Sequence, residues 1–336
     1  MERSGSIPAI TNMYRIVIFF VFSTALLTVT ARGNQSCTPA DLAQKPGLLR
    51  ASRLSGSTGG LPAADVARAR ATLTKIHQSI ATGYKPVGLV GEYSYHFSGG
   101  TTAGVFGYSL YLLKYNCDSS SSDPAKFYIG TDTPTVVRID ANVINSLYLS
   151  AADTTDNSFR GYLFLRTMPK KVDGVYYLGD NPLGNAPEGQ KEYTYMITYD
   201  DQLPFTTLTR RDYLLVIKER LEKAIRENGN SSGFYNQYVE RVNENLRGDA
   251  TELSRPAIVN RMDEERFTGF LREGDRGAYY AVRHNSAYYR KGLPKSAAQF
   301  FTVVYSVYER EPVYTANIDA VRKSLDLAGM RSLLGK

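Results

Sequence analysis

Histidine and cysteine are both scarce in this chain, three of one and two of the other in 336 residues. That scarcity removes whole classes of chemistry. There is no H-E-x-x-H to hold zinc on one helix face, no Cys-x-x-Cys, no glycine-rich loop ending in Gly-Lys-Ser/Thr, and no Gly-x-Gly-x-x-Gly following a strand. The zinc-peptidase, nucleotide and dinucleotide readings therefore lack the residues that would carry them. No cofactor and no metal site is implied. Dense basic runs are missing too: the formal charge of +7 is spread along the chain, which suits loose attraction to anionic surfaces or polymers and not a nucleic-acid footprint. No internal repeat is visible, and past residue 31 no apolar run approaches the roughly 20 residues that span a bilayer.

The N-terminus does hold an apolar run, Ile16 to Leu27, flanked by Arg15 and followed by Thr28-Val29-Thr30-Ala31. A basic flank, a short apolar core and small residues at Val29 and Ala31 predict a secretory signal peptide cleaved after Ala31. The alternative is a membrane anchor left uncleaved through residues 16–29. Met13-Tyr14-Arg15 offers a second, more compact start for the same peptide. Cleavage removes Glu2, Arg3 and Arg15 and lowers the charge of +7 by one. The expected setting is secreted or periplasmic. Cys37 and Cys117, the only cysteines, both lie beyond the signal, and in an oxidising compartment a disulfide is the economical reading, with a free pair as its alternative. Closing a loop of that length stabilises by about 4 to 5 kcal/mol in the chain-entropy model.

Residues 32–61 read as a flexible segment, with Ser55-Gly56-Ser57-Thr58-Gly59-Gly60 as its spacer. Residues 62–204 read as a helix followed by a β-rich region. Pro62 suits a first helical turn, and Val66, Ala69, Leu73, Ile76 and Ile80 recur at helical spacing. Then come short runs rich in Tyr, Val and Ile: Leu89 to Phe97, Tyr108 to Cys117, Lys126 to Ile129, Thr135 to Ile139, Arg160 to Arg166, Val175 to Leu178 and Glu192 to Tyr199. Several alternate at period two, as antiparallel strands with one wet face do. Residues 205–336 hold a helical hairpin, further strands and a closing helix, and form either a second domain or part of the first. The hairpin opens at Thr209, an N-cap with Asp212 three residues on, before Leu214, Ile217, Leu221 and Ile225. Its second helix runs from Phe234 to Leu246. Gly277 to Val282, Tyr288 to Lys291 and Phe300 to Tyr308 are strands, and Ile318, Val321, Leu325, Leu327 and Leu333-Leu334 mark the last helix. The class is α+β, a mainly antiparallel sheet with a helical hairpin and helices near both ends. A charged helical hairpin in the middle of the chain argues against an outer-membrane barrel.

Chemistry is thinner. Gly229-Asn230-Ser231-Ser232-Gly233 matches the letters of a nucleophile elbow, yet helix precedes and follows it where a strand should lead in, so it reads as an interhelical loop. Asp263-Glu264-Glu265 and Asp200-Asp201 could supply paired carboxylates, and the loop carrying Asp180, Asn181, Asn185 and Glu188 could meet calcium but lacks the spacing of a calcium loop. No catalytic residue is assigned. The best binding candidate is Arg276 to Gly292, where Tyr279, Tyr280, Tyr288 and Tyr289 interleave with Arg283, His284 and Arg290. Rings beside cations on one hairpin face would stack on sugars and pair with acidic groups. Period-two alternation offers the opposing account, that half of these tyrosines are core.

Leu203-Pro204-Phe205-Thr206-Thr207-Leu208-Thr209-Arg210-Arg211-Asp212-Tyr213-Leu214, the later Leu293-Pro294-Lys295-Ser296-Ala297-Ala298-Gln299-Phe300 and the leucine-rich C-terminus together resemble a group of uncharacterised secreted or envelope proteins of Bacteroidetes-type bacteria. The resemblance covers mainly the C-terminal half. It implies an envelope or extracellular setting and transfers no catalytic residue. The leading expectation is a non-enzymatic binding protein whose partner is an anionic glycan or envelope polymer. A hydrolase of an extracellular polymer is the alternative, and a membrane-tethered structural protein comes third.

Overall fold

The computed structural model describes residues 36–336 apart from 53–57, 100–102, 144–148, 151–161, 181–187, 200, 228–231 and 262–265. Ser36 to Lys336 forms one compact unit, so the two candidate regions on either side of residue 204 are not separate bodies.

Helix α1 (Pro39–Ala43) starts on Thr38, whose Oγ1 accepts from the Asp41 N–H. After β1 (Leu48–Ala51), helix α2 (Ala63–Gly83) buries the expected stripe of Val66, Ala69, Leu73, Ile76 and Ile80. Strands β2 (Leu89–Ser98), β3 (Val105–Cys117), β4 (Phe127–Ile129) and β5 (Val136–Ala141) follow. Next come β6 (Leu149–Ser150), β7 (Leu163–Leu165), β8 (Lys170–Val172), β9 (Val175–Asp180), β10 (Gln190–Ile197) and β11 (Phe205–Thr207). Helices α3 (Arg210–Glu227), α4 (Ser232–Leu246) and α5 (Ala250–Ser254) lead to β12 (Ile258–Asn260), β13 (Ala278–His284), β14 (Phe301–Tyr308) and α6 (Pro312–Ser324). Thr209 caps α3 as its position predicts, its Oγ1 accepting from the Asp212 N–H at 3.0 Å.

The large sheet runs β1-β2-β3-β5-β14-β10-β9-β8, with β4 on the far end of β3. Every pairing in it is antiparallel except that of β1 with β2. A smaller sheet runs β11-β13-β7-β6, with β12 also on β13. Alternation assigns the faces. On the large sheet Tyr93, Tyr95, Tyr108, Val303, Tyr305 and Tyr195 share one side, where His77 of α2 stacks on Tyr93 at 3.9 Å and Arg322 of α6 donates to the Tyr195 hydroxyl at 2.9 Å. That side carries α2 and α6, while Leu42 of α1 packs with Val90 and Tyr115 on the other. The inward residues of the small sheet, Leu163, Leu165, Phe205, Tyr280 and Val282, join the same core, while its other side, Phe164, Ala281 and Val259, packs against α3 through Tyr213, Leu214 and Ile217.

Three expectations need correction. Residues 32–61 are not all spacer: α1 and β1 lie within them, and the Cys37–Cys117 disulfide, with its Cα atoms 5.7 Å apart, ties α1 to the end of β3. The closing helix ends at Ser324, because Leu325 turns extended, and Gly329–Leu333 forms a separate 3-10 turn. Tyr288 to Lys291 is a turn, not a strand, so Arg276 to Gly292 is no hairpin.

Candidate functional site

The expected ring-and-cation face is dismantled by geometry. Tyr279 and Tyr280, and likewise Arg283 and His284, are adjacent on β13 and must point to opposite sides of the small sheet. Tyr280 turns into the main core and Tyr279 packs against the α3 cluster. Arg283 is exposed, and burial pushes the His284 imidazole below its ordinary range. Tyr288 is buried, donating its hydroxyl to the Gln299 carbonyl at 2.7 Å and accepting from the Tyr199 N–H at 3.1 Å. Tyr289 packs on Phe300, and burial pushes its phenol up to about 12. The Arg290 guanidinium lies over the Tyr199 ring at 3.8 Å, and Gln299 clamps the Arg290 backbone from both sides. Tyr280, Tyr288 and Tyr289 therefore hold the fold together and offer a ligand no flat face.

The other candidates fare similarly. Asp200, the 263–265 carboxylates and the elbow residues Gly229 to Ser231 lie outside the described residues, as do Asn181 and Asn185. Asp201 is held by Lys171, Glu188 by Arg310, and Asp180 by Lys191 at 2.9 Å. Among the described residues no three groups are placed to share a metal ion.

A different set of residues converges on the side of the large sheet away from α2 and α6. Register places His96 of β2 opposite Gly107 of β3, and Gly107 opposite Asp140 of β5. Their Cα atoms span two strand spacings, about 10 Å. The side chains nevertheless meet, with His96 Nε2 at 2.9 Å from Asp140 Oδ1. Gly107 makes this possible, since a Cβ there would lie 2.3 Å from that oxygen and 2.4 Å from the imidazole. The approach lacks the alignment of a hydrogen bond, and among the described residues no donor is aligned on Oδ1. The Asp140 side chain is 7% exposed and that of His96 42%. A buried carboxylate thus orients an imidazole that solvent can reach.

The next two rows extend the same face. Ser94, Ser109 and Arg138 are opposite one another in register, then Glu92, Tyr111 and Val136. Arg138 is exposed and forms no ion pair or hydrogen bond with any described residue. Tyr111 is 40% exposed, beside the half-buried Val136. At the rim Arg50 of β1 pairs with Glu92 at 3.0 Å. One surface therefore gathers a guanidinium unpaired among the described residues, a flat ring, an imidazole and the half-buried Ser94, with Ser109 buried beneath them, within about 10 Å across and 14 Å along the strands.

Compared with protein-family models, with curated proteins and with solved structures, the chain matches none. The site rests on its own geometry. Alternation in Glu92-Tyr93-Ser94-Tyr95-His96-Phe97 already separated its polar residues from the core. What it lacked was register, because His96, Gly107 and Asp140 belong to three strands and no local pattern links them.

Proposed function

We propose that the protein is exported and binds an acidic saccharide, or a similar anionic envelope polymer, on the open face of the large sheet. The observation that carries this reading is Arg138, unpaired among the described residues, on the same face as exposed Tyr111 and the His96–Asp140 pair. A guanidinium takes a carboxylate or sulfate in a two-pronged contact, and a flat ring stacks on a sugar. The imidazole and the Ser94 hydroxyl exchange hydrogen bonds with ring hydroxyls. Export is supported by the Cys37–Cys117 disulfide and by the signal-like N-terminus, and among the described residues no helix is long and apolar enough to cross a membrane. The resemblance of the Leu203 to Leu214 box to secreted envelope proteins agrees with that setting.

The test is an acidic-glycan and envelope-polymer array on the mature protein, followed by titration of any hit at two salt concentrations. Arg138→Ala should flatten the salt dependence, and Tyr111→Ala should weaken binding about 3- to 10-fold at both salts, since stacking is not ionic. Arg283→Ala should change nothing. Binding that ignores both Arg138 and Tyr111, or that accepts neutral polymers equally, refutes the assignment.

A further inference from the structure

A cavity lies where the disulfide-tied α1 meets the first turn of α6. It holds about 240 Å³ and is walled by Leu42, Tyr115, Pro312 and Val313, with Lys114 and Glu311 at its polar edge. Its size suits one ring or a short alkyl chain: a dry apolar cavity of about 150 Å³ takes benzene, and drug-sized ligands need about 300 Å³ or more. Lys114 Nζ and Glu311 Oε2 are 2.8 Å apart, with the two side chains 31% and 39% exposed, so the pair is accessible to exchange with a solute. Charge around the cavity is unequal. Lys114 is the one basic residue lining it, and the positive end of α6 begins at Pro312, which lines it too. One ammonium and a helix start face one carboxylate.

We infer that this cavity is a binding site for a small monocarboxylate with an aryl or short alkyl body, the body lying between Leu42 and Val313 and the carboxylate replacing Glu311 on Lys114. The disulfide is part of the site. Cys117 lines the cavity, and its bridge to Cys37 holds α1, which supplies Leu42, against β3. This inference is independent of the sheet-face reading, since it shares no residue with it.

The experiment is an amide NMR titration of the mature oxidised protein with benzoate, hexanoate, benzylamine and cyclohexanol. The two carboxylates should bind, with shifts centred on Leu42, Lys114 and Val313. Lys114→Met should weaken them at least tenfold, whereas Glu311→Gln, which removes the competing carboxylate, should tighten them about threefold. The Cys37→Ser/Cys117→Ser double variant, checked for folding by circular dichroism, should lose roughly tenfold as α1 is released. Equal or tighter binding of benzylamine overturns the inference, as do shifts centred elsewhere or no saturable response to either carboxylate at millimolar concentration. Carboxylate binding that survives Lys114→Met unchanged overturns it too.

Discussion

Gly107→Ala adds one methyl group and tests the arrangement at the centre of the open sheet face. The new Cβ would sit 2.3 Å from Asp140 Oδ1 and 2.4 Å from the His96 ring, well inside van der Waals contact. Gly107 is paired on both sides, to His96 and to Asp140, so the backbone cannot retreat without breaking a ladder. The side chains must part instead. Overpacking of this kind costs about 1 to 3 kcal/mol. Separation also leaves a carboxylate that is 7% exposed without its partner, although the 42% exposure of His96 means that solvent screens much of the pair. Together these give about 2 to 4 kcal/mol, read as a lower urea midpoint at unchanged slope. In a His96→Ala background the imidazole is gone and the carboxylate can rotate, so the same methyl should cost less than half as much. The reasoning fails if Gly107→Ala lies within about 0.5 kcal/mol of wild type, or if its cost is the same in both backgrounds.

Asn317 of α6 is buried and uses its whole amide: Oδ1 accepts from the Tyr84 hydroxyl and the Val87 N–H, and Nδ2 donates to the Val87 and Val313 carbonyls. Asn317→Ala should therefore cost about 3 to 5 kcal/mol in urea unfolding, and Tyr84→Phe should become nearly neutral in that background. Thr209→Ala should cost about 1 kcal/mol through the lost α3 cap, against about 2 to 5 kcal/mol for Leu214→Ala, and denaturant midpoints in the reverse order would show that the α3 stripe is not core. Burial lowers the imidazoles of His77 and His284 from 6.5, so the unfolded chain binds more protons than the folded one as pH drops below that value. Stability should be fully present above about pH 6.5 and fall as the solution is made more acidic, and His77→Phe, which keeps a ring on Tyr93, should flatten part of that decline in urea midpoints.

Local pattern by itself determined a good deal of this protein. The α2 stripe, the Thr209 cap, the alternating strands from Leu89 onward and the α+β class are legible because helix and strand periods, caps and breakers act over a few neighbouring residues. The pairing of Cys37 with Cys117 was legible because no other cysteine competes. Tertiary structure decided the rest. Leu48–Ala51 looks like linker, since four residues with three exposed have no pattern of their own, and it becomes a strand only by lying parallel to β2. Tyr279, Tyr280, Tyr288 and Tyr289 look like one aromatic face in sequence, yet the pleat of β13 and the turn after it send them to different places, two of them into the core. The open-face site is the clearest case. His96, Gly107 and Asp140 are unremarkable where each stands, and they become a site through strand register, which depends on the pairing of segments distant in sequence and on which face of the sheet α2 and α6 leave uncovered.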